Sequence, residues 1–443
     1  MTDCKTKLTF NAAWERSVLG FTRDDTSLML TISAQRLATA GRTSRAAIDI
    51  AFVLDRSTSM DGEKIELVKE AVNKAIDHLG PDDRVALVTF DNEIEIVQSL
   101  SKATVSMRAA IRQKLRHIHA RGNTNLSDGW LTGCGQLAEH AHTRQSARLQ
   151  RAILLTDGQA NAGIVDPGEL AKHATALRLR GISTTTMGVG YGFDEVLLSA
   201  MAEAGGGNFK YIAHPDEFAA FFEREIGGLT QIAALRPQIE ITLPQGLRAH
   251  LLNMFPSQRQ GKTITVDLRD LIDQDTVDLI FEVTHRGNLG PSSSRVKGQV
   301  RAVDPEDGST VGSAIEIPDL TFAPDAEAVT APRNHVVGVA RAYEQSLLDQ
   351  REALRLDREG RYLESRKVFM VSHSRLRLAD EEAAASGYAG MSDSKVRELR
   401  QESARFSDLA SAPQAPLGEQ VHKERTAFRG EHSRGGRRGQ SST

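Results

Sequence analysis

Between residues 47 and 228, short apolar runs alternate with stretches of helical periodicity, and nothing else in the chain limits its fold so strongly. IDIAFVL (48–54), RVALVTF (84–90), RAILLT (151–156) and ISTTTMGV (182–189) read as strands. A strand that is apolar along its whole length must be covered on both faces. The segments between them supply the cover. GEKIELVKEAVNKAIDHL repeats Ile65, Val68, Ala71, Val72, Ala75, Ile76 and Leu79 at helical spacing. SMRAAIRQKLRHI, LSDGWLTGCGQLAEHA, PGELAKHATALRLRG, DEVLLSAMAEAG and PDEFAAFFEREIGGL read as further helices, and NFKYI as a short strand. EIEIVQSL follows RVALVTF across Asp91-Asn92, a hairpin turn. The expectation is an α/β fold with a doubly wound, mainly parallel sheet over 47–230.

The flanks differ. Residues 1–46 hold one clear strand, SLMLTISAQ, then a linker, ATAGRTSRA. From 231 to 323, QIEITL, KTITVDL, TVDLIFEVTH, SRVKGQVRAV and AIEIPDLTF alternate polar and apolar residues, which suits a small antiparallel β-sandwich. The N-terminal strands are expected to join it, making the α/β unit an insertion. Residues 324–410 form a helical segment with a hairpin at Gly360, whose core candidates are Ala353, Leu354, Leu356, Tyr362, Leu363 and Val368. SKVRELRQESARFSDLA is read as a further helix, and 411–443 as a disordered basic tail.

At 443 residues and a formal charge of −3, the chain is large enough for several domains and has no strong bias toward nucleic acid. Cys4 and Cys134 form no CxxC pair, so neither a disulfide framework nor a cysteine zinc site is expected. No signal-peptide pattern and no run near the roughly 18 apolar residues of a membrane span appear, and the expectation is a cytoplasmic protein.

The chemistry gathers at strand ends. DRSTSM (55–60) follows the first strand, and Asp157 in LLTDGQ ends another. GNTNLSDG places Thr124 just before a helix. Ligands of open α/β sheets bind outside the carboxyl ends of strands, where strand order reverses. Asp55, Ser57, Ser59, Thr124 and Asp157 offer only oxygen, which favours Mg²⁺, Ca²⁺ or Mn²⁺ over a softer ion. Ser57 and Ser59, two apart on extended backbone, can point the same way. Two plainer readings compete: a helix cap near Gly62 for DRSTSM, and a turn for Asp157-Gly158. His117 with His119, and His140 with His142, stand two apart and read as solvated helix surface.

The D-x-S-x-S at 55–59, the Thr of GNTNLSDG and the Asp of LLTDGQANAG resemble the metal-ion-dependent adhesion site (MIDAS) of the von Willebrand factor type A (VWA) domain. LGPDDRVALVTFD and AEAGGGNFKYI also resemble segments of that family, over residues 47–228 in all. Thr58 and Asn123 stand where relatives often carry glycine. The resemblance implies an intracellular bacterial protein-interaction module. Ser57, Ser59 and Thr124 would bind the metal directly, and Asp55 and Asp157 directly or through water. A partner's Asp or Glu would complete the coordination, and an AAA+ ATPase complex is one implied setting. A metal-dependent hydrolase using the same oxygen ligands is the alternative, although the chain has neither a G-x-S-x-G elbow nor a P-loop lysine motif.

Overall fold

The computed structural model describes residues 6–36, 47–139, 148–157, 161–190, 193–212, 232–286, 290–305 and 308–385, with 401, 404, 436 and 437. The chain opens with β1 (Thr6–Trp14), β2 (Val18–Gly20) and β3 (Arg23–Arg36). The α/β unit follows: β4 (Ile48–Asp55), α1 (Glu63–Asp77), β5 (Arg84–Phe90), β6 (Ile94–Lys102), α2 (Val105–Arg116) and α3 (Leu126–Ala138). It continues with β7 (Leu149–Thr156), α4 (Pro167–Leu179), β8 (Ile182–Val189), α5 (Glu195–Gly205) and β9 (Gly206–Ile212). The strand order is β6-β5-β4-β7-β8-β9, parallel throughout except for the β5–β6 hairpin.

Every residue of β4 is buried, as its apolar run requires. Ile48, Ile50, Phe52 and Leu54 pack with α1 and α2 residues such as Val68, Val72 and Ile111. Ala51 and Val53 face the other way, toward Trp130, Cys134 and Leu170. All seven apolar positions read from the α1 segment are buried. Helix starts follow local chemistry: Asp166 accepts from Glu169 N at 2.8 Å ahead of Pro167, and Asp194 accepts from Val196 N and Leu197 N, each at 3.0 Å.

α3 lies unusually close to the sheet because two of its residues have no side chain. A Cβ on Gly129 would stand 2.5 Å from Phe90 Cγ, and one on Gly133 would overlap Val53. That approach matters because the start of α3 carries Thr124 to the sheet's carboxyl edge.

The sandwich strands are β10 (Ile232–Thr242), β11 (Leu247–Leu251), β12 (Ser257–Gln260), β13 (Thr263–Asp267), β14 (Leu271–Ile272) and β15 (Asp275–Arg286). After them come β16 (Ser292–Ser294), β17 (Lys297–Val303), β18 (Thr310–Ile315) and β19 (Leu320–Ala323). One sheet runs β1-β3-β15-β11, so strands from before and after the α/β unit pair directly; the other runs β12-β13-β10-β17-β18. Leu28, Leu30 and Ile32 of β3 and Val277, Leu279 and Phe281 of β15 face Ile239, Ile241 and Val300 across the sandwich core. The N-terminal region holds more than its one clear strand. β1 is a second long strand, registered from Thr6↔Arg36 to Trp14↔Leu28. In TKLTFNAAW, Leu8, Phe10, Ala12 and Trp14 take alternate positions and turn to the sandwich core. A third, three-stranded sheet runs β16-β19-β2 and pairs β2 with β19 in parallel.

After α6 (Asp325–Thr330), α7 (His335–Arg358) and α8 (Tyr362–Ala385) form the expected helical hairpin, turning at Gly360 with φ of 77°. Val337 and Ala340 of α7 cover Met29 and Ile280, the outward residues of β3 and β15. Among the hairpin's core candidates, Leu363 departs: it is 56% exposed, while Phe369 and Leu376 fill the interface. His117 follows the last residue of α2 and His119 lies beyond it, so neither is on a helix; both are exposed. In the tail expected to be disordered, β20 (Gly436–Arg437) pairs with β15 at Thr276 and Val277. Cys4, His140, His142, the helix expected at 215–229 and most of that at 394–410 lie outside the described residues. No helix among the described residues is long and apolar enough to cross a membrane.

Gly129→Ala and Gly133→Ala are each expected to cost about 1–3 kcal/mol by overpacking. Gly135→Ala on the same helix, where an added Cβ meets nothing within 4 Å, should be neutral or stabilising. Urea unfolding of the three variants checks the contrast.

Candidate functional site

β4 lies between β5 and β7, and chain order reverses at this strand. The pairing Leu54↔Leu155 sets the ends of β4 and β7 level, with Asp55 and Thr156 next in line. The Thr156 hydroxyl donates to Asp55 Oδ2 at 2.5 Å, and Ser57 N donates to Asp55 Oδ1 at 2.7 Å. Beyond Asp55 the chain turns through a short 3-10 segment, Thr58–Met60, before α1. Neither this turn nor α1 has a side-chain cap, so the cap reading of DRSTSM is not what its hydroxyls do.

Those hydroxyls face one another instead. Ser57 Oγ and Ser59 Oγ are 3.1 Å apart, and Ser59 Oγ donates to Asp157 Oδ1 at 2.7 Å. Asp55, Ser57 and Asp157 are buried, and Ser59 faces solvent. Four of the five predicted site residues thus form one connected cluster.

Thr124, also buried, arrives on the loop before α3. That loop is tied to the first one by backbone. Thr58 N and Thr58 Oγ1 each donate to Gly122 O at 3.0 Å, and Arg121 N donates to Arg56 O at 2.7 Å. Thr58 thus adds a hydroxyl tie between the loops. Gly122 has φ of 67°, and a Cβ there would overlap Asn92 Oδ1. Asn161 N donates to Thr124 O at 3.1 Å, bringing the chain after β7 against the same loop.

Beneath the loops sits a charge network that motif reading did not single out. Asp91, at the end of β5, receives Arg56 Nε at 2.9 Å and Arg121 Nε at 2.8 Å. Glu93 N donates to its other oxygen at 2.6 Å. Burial works against the Asp91 charge, but Glu93 N–H, Arg121 and Arg56 outweigh it and hold the carboxyl below its ordinary range. The place of Asp91 at a strand's carboxyl end was the available signal. Lys64, which pairs with Asp157 Oδ2, gave no such signal, since it sits in an ordinary amphipathic pattern.

Burial pushes the Asp55 carboxyl up to about 6. The Ser57 and Thr156 hydrogen bonds pull the other way, and the neighbouring Asp157 charge adds to the rise. The donor set suits a hard divalent cation. Ser59 gives its proton to Asp157, which leaves hydroxyl lone pairs free. No group of three or more His, Cys, Asp or Glu with metal-holding geometry occurs among the described residues, so a cation here would rest largely on hydroxyls.

In the metal-free protein, a buried carboxylate that resists ionisation destabilises the fold as pH rises past its ordinary value, and fully so above about 6. Asp55→Asn is therefore expected to be more stable than wild type at pH 7 by about 1–2 kcal/mol. The advantage should vanish as the pH falls toward 4. Thermal unfolding in chelator across that range measures it.

Comparison with known proteins adds a second line of evidence. The family model of the von Willebrand factor type A domain matches residues 49–224. An uncharacterised protein of Synechocystis sp. is 30% identical over 278 residues, which cover 60% of this chain and 64% of that protein. The protein YfbK of Escherichia coli is 29% identical over 250 residues, covering 54% of this chain and 42% of its own length. The chain therefore spans less than two thirds of these relatives. Two solved structures share the fold along nearly all of it. A von Willebrand factor type A protein from Catenulispora acidiphila has a TM-score of 0.65 at 20% identity, covering 90% of this chain and 91% of that one. The ArnB paralog VWA2 from Sulfolobus acidocaldarius has a TM-score of 0.59 at 16% identity, covering 93% and 100%.

Proposed function

Because the family model of the von Willebrand factor type A domain matches residues 49–224, we propose that this chain is a protein-interaction module that captures an acidic side chain of a partner through a divalent cation. The observation that carries the proposal is the hydroxyl–carboxylate cluster of Asp55, Ser57, Ser59 and Asp157. Ser57, Ser59 and Thr124 would hold the cation directly, and Asp55 and Asp157 would hold it directly or through water. A hard cation held largely by neutral hydroxyls keeps much of its charge, and that charge attracts an incoming carboxylate. Mg²⁺ is the ion we propose, with Ca²⁺ and Mn²⁺ as the alternatives.

The chain's residues support docking over hydrolysis. The sequence has neither a G-x-S-x-G elbow nor a P-loop lysine motif, and Ser59 donates to Asp157 with its lone pairs left for a cation. The loops are braced by Asp91 and its arginines, so the docking face is set before a partner arrives. A bacterial cytoplasmic setting is part of the proposal, supported by bacterial relatives and by the buried free thiol of Cys134. An AAA+ ATPase complex is a partner class to test.

Mg²⁺ is expected to raise the melting temperature of the wild type and not of Asp55→Ala or Asp157→Ala. Ligand at about a hundredfold above Kd contributes about 2.7 kcal/mol. A pull-down with Mg²⁺ should retain a partner that EDTA, or either variant, releases. Retention of the same proteins under all conditions would move the binding surface to the sandwich or the helical hairpin.

A further inference from the structure

We infer that Lys64 is the resident counter-cation of this site, and that it sets the site's metal affinity by competing with the metal for Asp157. The inference rests on the metal reading above and adds a residue that the adhesion motif does not contain.

Lys64 is the second residue of α1. A helix N-terminus disfavours a positive charge, and Glu63 and Glu66 occupy the same turn as the dipole prefers. The local helix therefore gives no reason for a lysine here; its partners do. The ammonium pairs with Asp157 Oδ2 and donates to Ser59 O at 3.2 Å. Both Asp157 oxygens are then engaged, one by Ser59 Oγ and one by Lys64.

The arm has a seat of its own. It crosses Gly190, just past the end of β8, where φ is 68°. A Cβ at Gly190 would stand 3.0 Å from Lys64 Cε and 3.8 Å from Nζ, so a side chain there would crowd the path. The neighbouring cations are committed elsewhere: Arg56 to Asp91 and Glu95, and Arg121 to Asp91 and Glu93. Lys64 is turned into the oxygen cluster.

Burial completes the argument. The Asp157 side chain is 0% exposed and the Lys64 side chain 32% exposed. A buried carboxylate needs a counter-charge, and the ammonium supplies one. A divalent cation bound at Ser59 and Asp157 would meet that ammonium at close range, and like charges repel. The partly exposed lysine has a route to solvent, whereas the carboxylate has none. The two cations therefore alternate at Asp157, and metal must displace lysine.

Isothermal titration of full-length wild type, Lys64→Met and Lys64→Gln with MgCl₂ at low salt tests this, with thermal unfolding of each in chelator beside it. Removal of the ammonium is expected to tighten Mg²⁺ binding at least tenfold. It should also lower the metal-free melting temperature, since Asp157 loses its counter-charge, and enlarge the rise that Mg²⁺ produces. Binding by the variants alone would also support the inference. Unchanged or weaker binding by the variants, with wild type still binding, would overturn it and leave the metal reading intact. Silence in all three proteins would remove the metal reading and this inference together. Lys64→Gln, which keeps a polar head, decides the question if Lys64→Met does not fold.

Discussion

The register between β4 and β7 is the constraint on which the rest depends. Parallel pairing of Leu54 with Leu155 brings two strand ends level, and the Thr156 hydroxyl then reaches Asp55 at 2.5 Å. A slip of one residue would turn Ile50, Phe52 and Leu54 from one helical layer to the other and pull the carboxylates apart. Burial of β4 on both faces makes such a slip costly. The hydrophobic core thus fixes polar geometry a few ångströms beyond its own edge.

The polar edge opposes stability. Asp55 and Asp157 are like charges in a buried place, and burial pushes the Asp55 carboxyl up to about 6. The protein contains this cost with neutral donors around Asp55 and an ammonium at Asp157. At Asp91 a buried carboxylate is instead doubly paired, and it locks the loops. Two acidic groups at adjacent strand ends therefore differ in role because of what faces each of them.

The sandwich joins sequence from both sides of the α/β unit. β3 and β15 pair along twelve positions, from Arg23↔Arg286 to Ala34↔Asp275, although the whole α/β unit lies between them in sequence. Arg358 at the tip of the hairpin pairs with Glu195 at the start of α5 at 2.6 Å. The hairpin tip thus touches the helix that follows β8 and Gly190.

Periodicity alone carried the α/β unit: buried runs such as IDIAFVL admit cover on both faces, and the α1 repeat places its apolar stripe without tertiary help. The same holds for the alternating β3 and β15, whose inward and outward residues follow the strand's period of two. The five oxygen-bearing positions could be named because their types and strand-end places are local properties. β1 follows the same period, with Leu8, Phe10, Ala12 and Trp14 turned to the sandwich core, and its pairing with β3 came only with the fold. Lys64, Thr156 and the Asp91 network could not be assigned, because each acts across a gap of tens of residues that only the folded chain closes. Spacing along a chain reports which face a side chain takes, while the charge it meets there depends on which strands become neighbours.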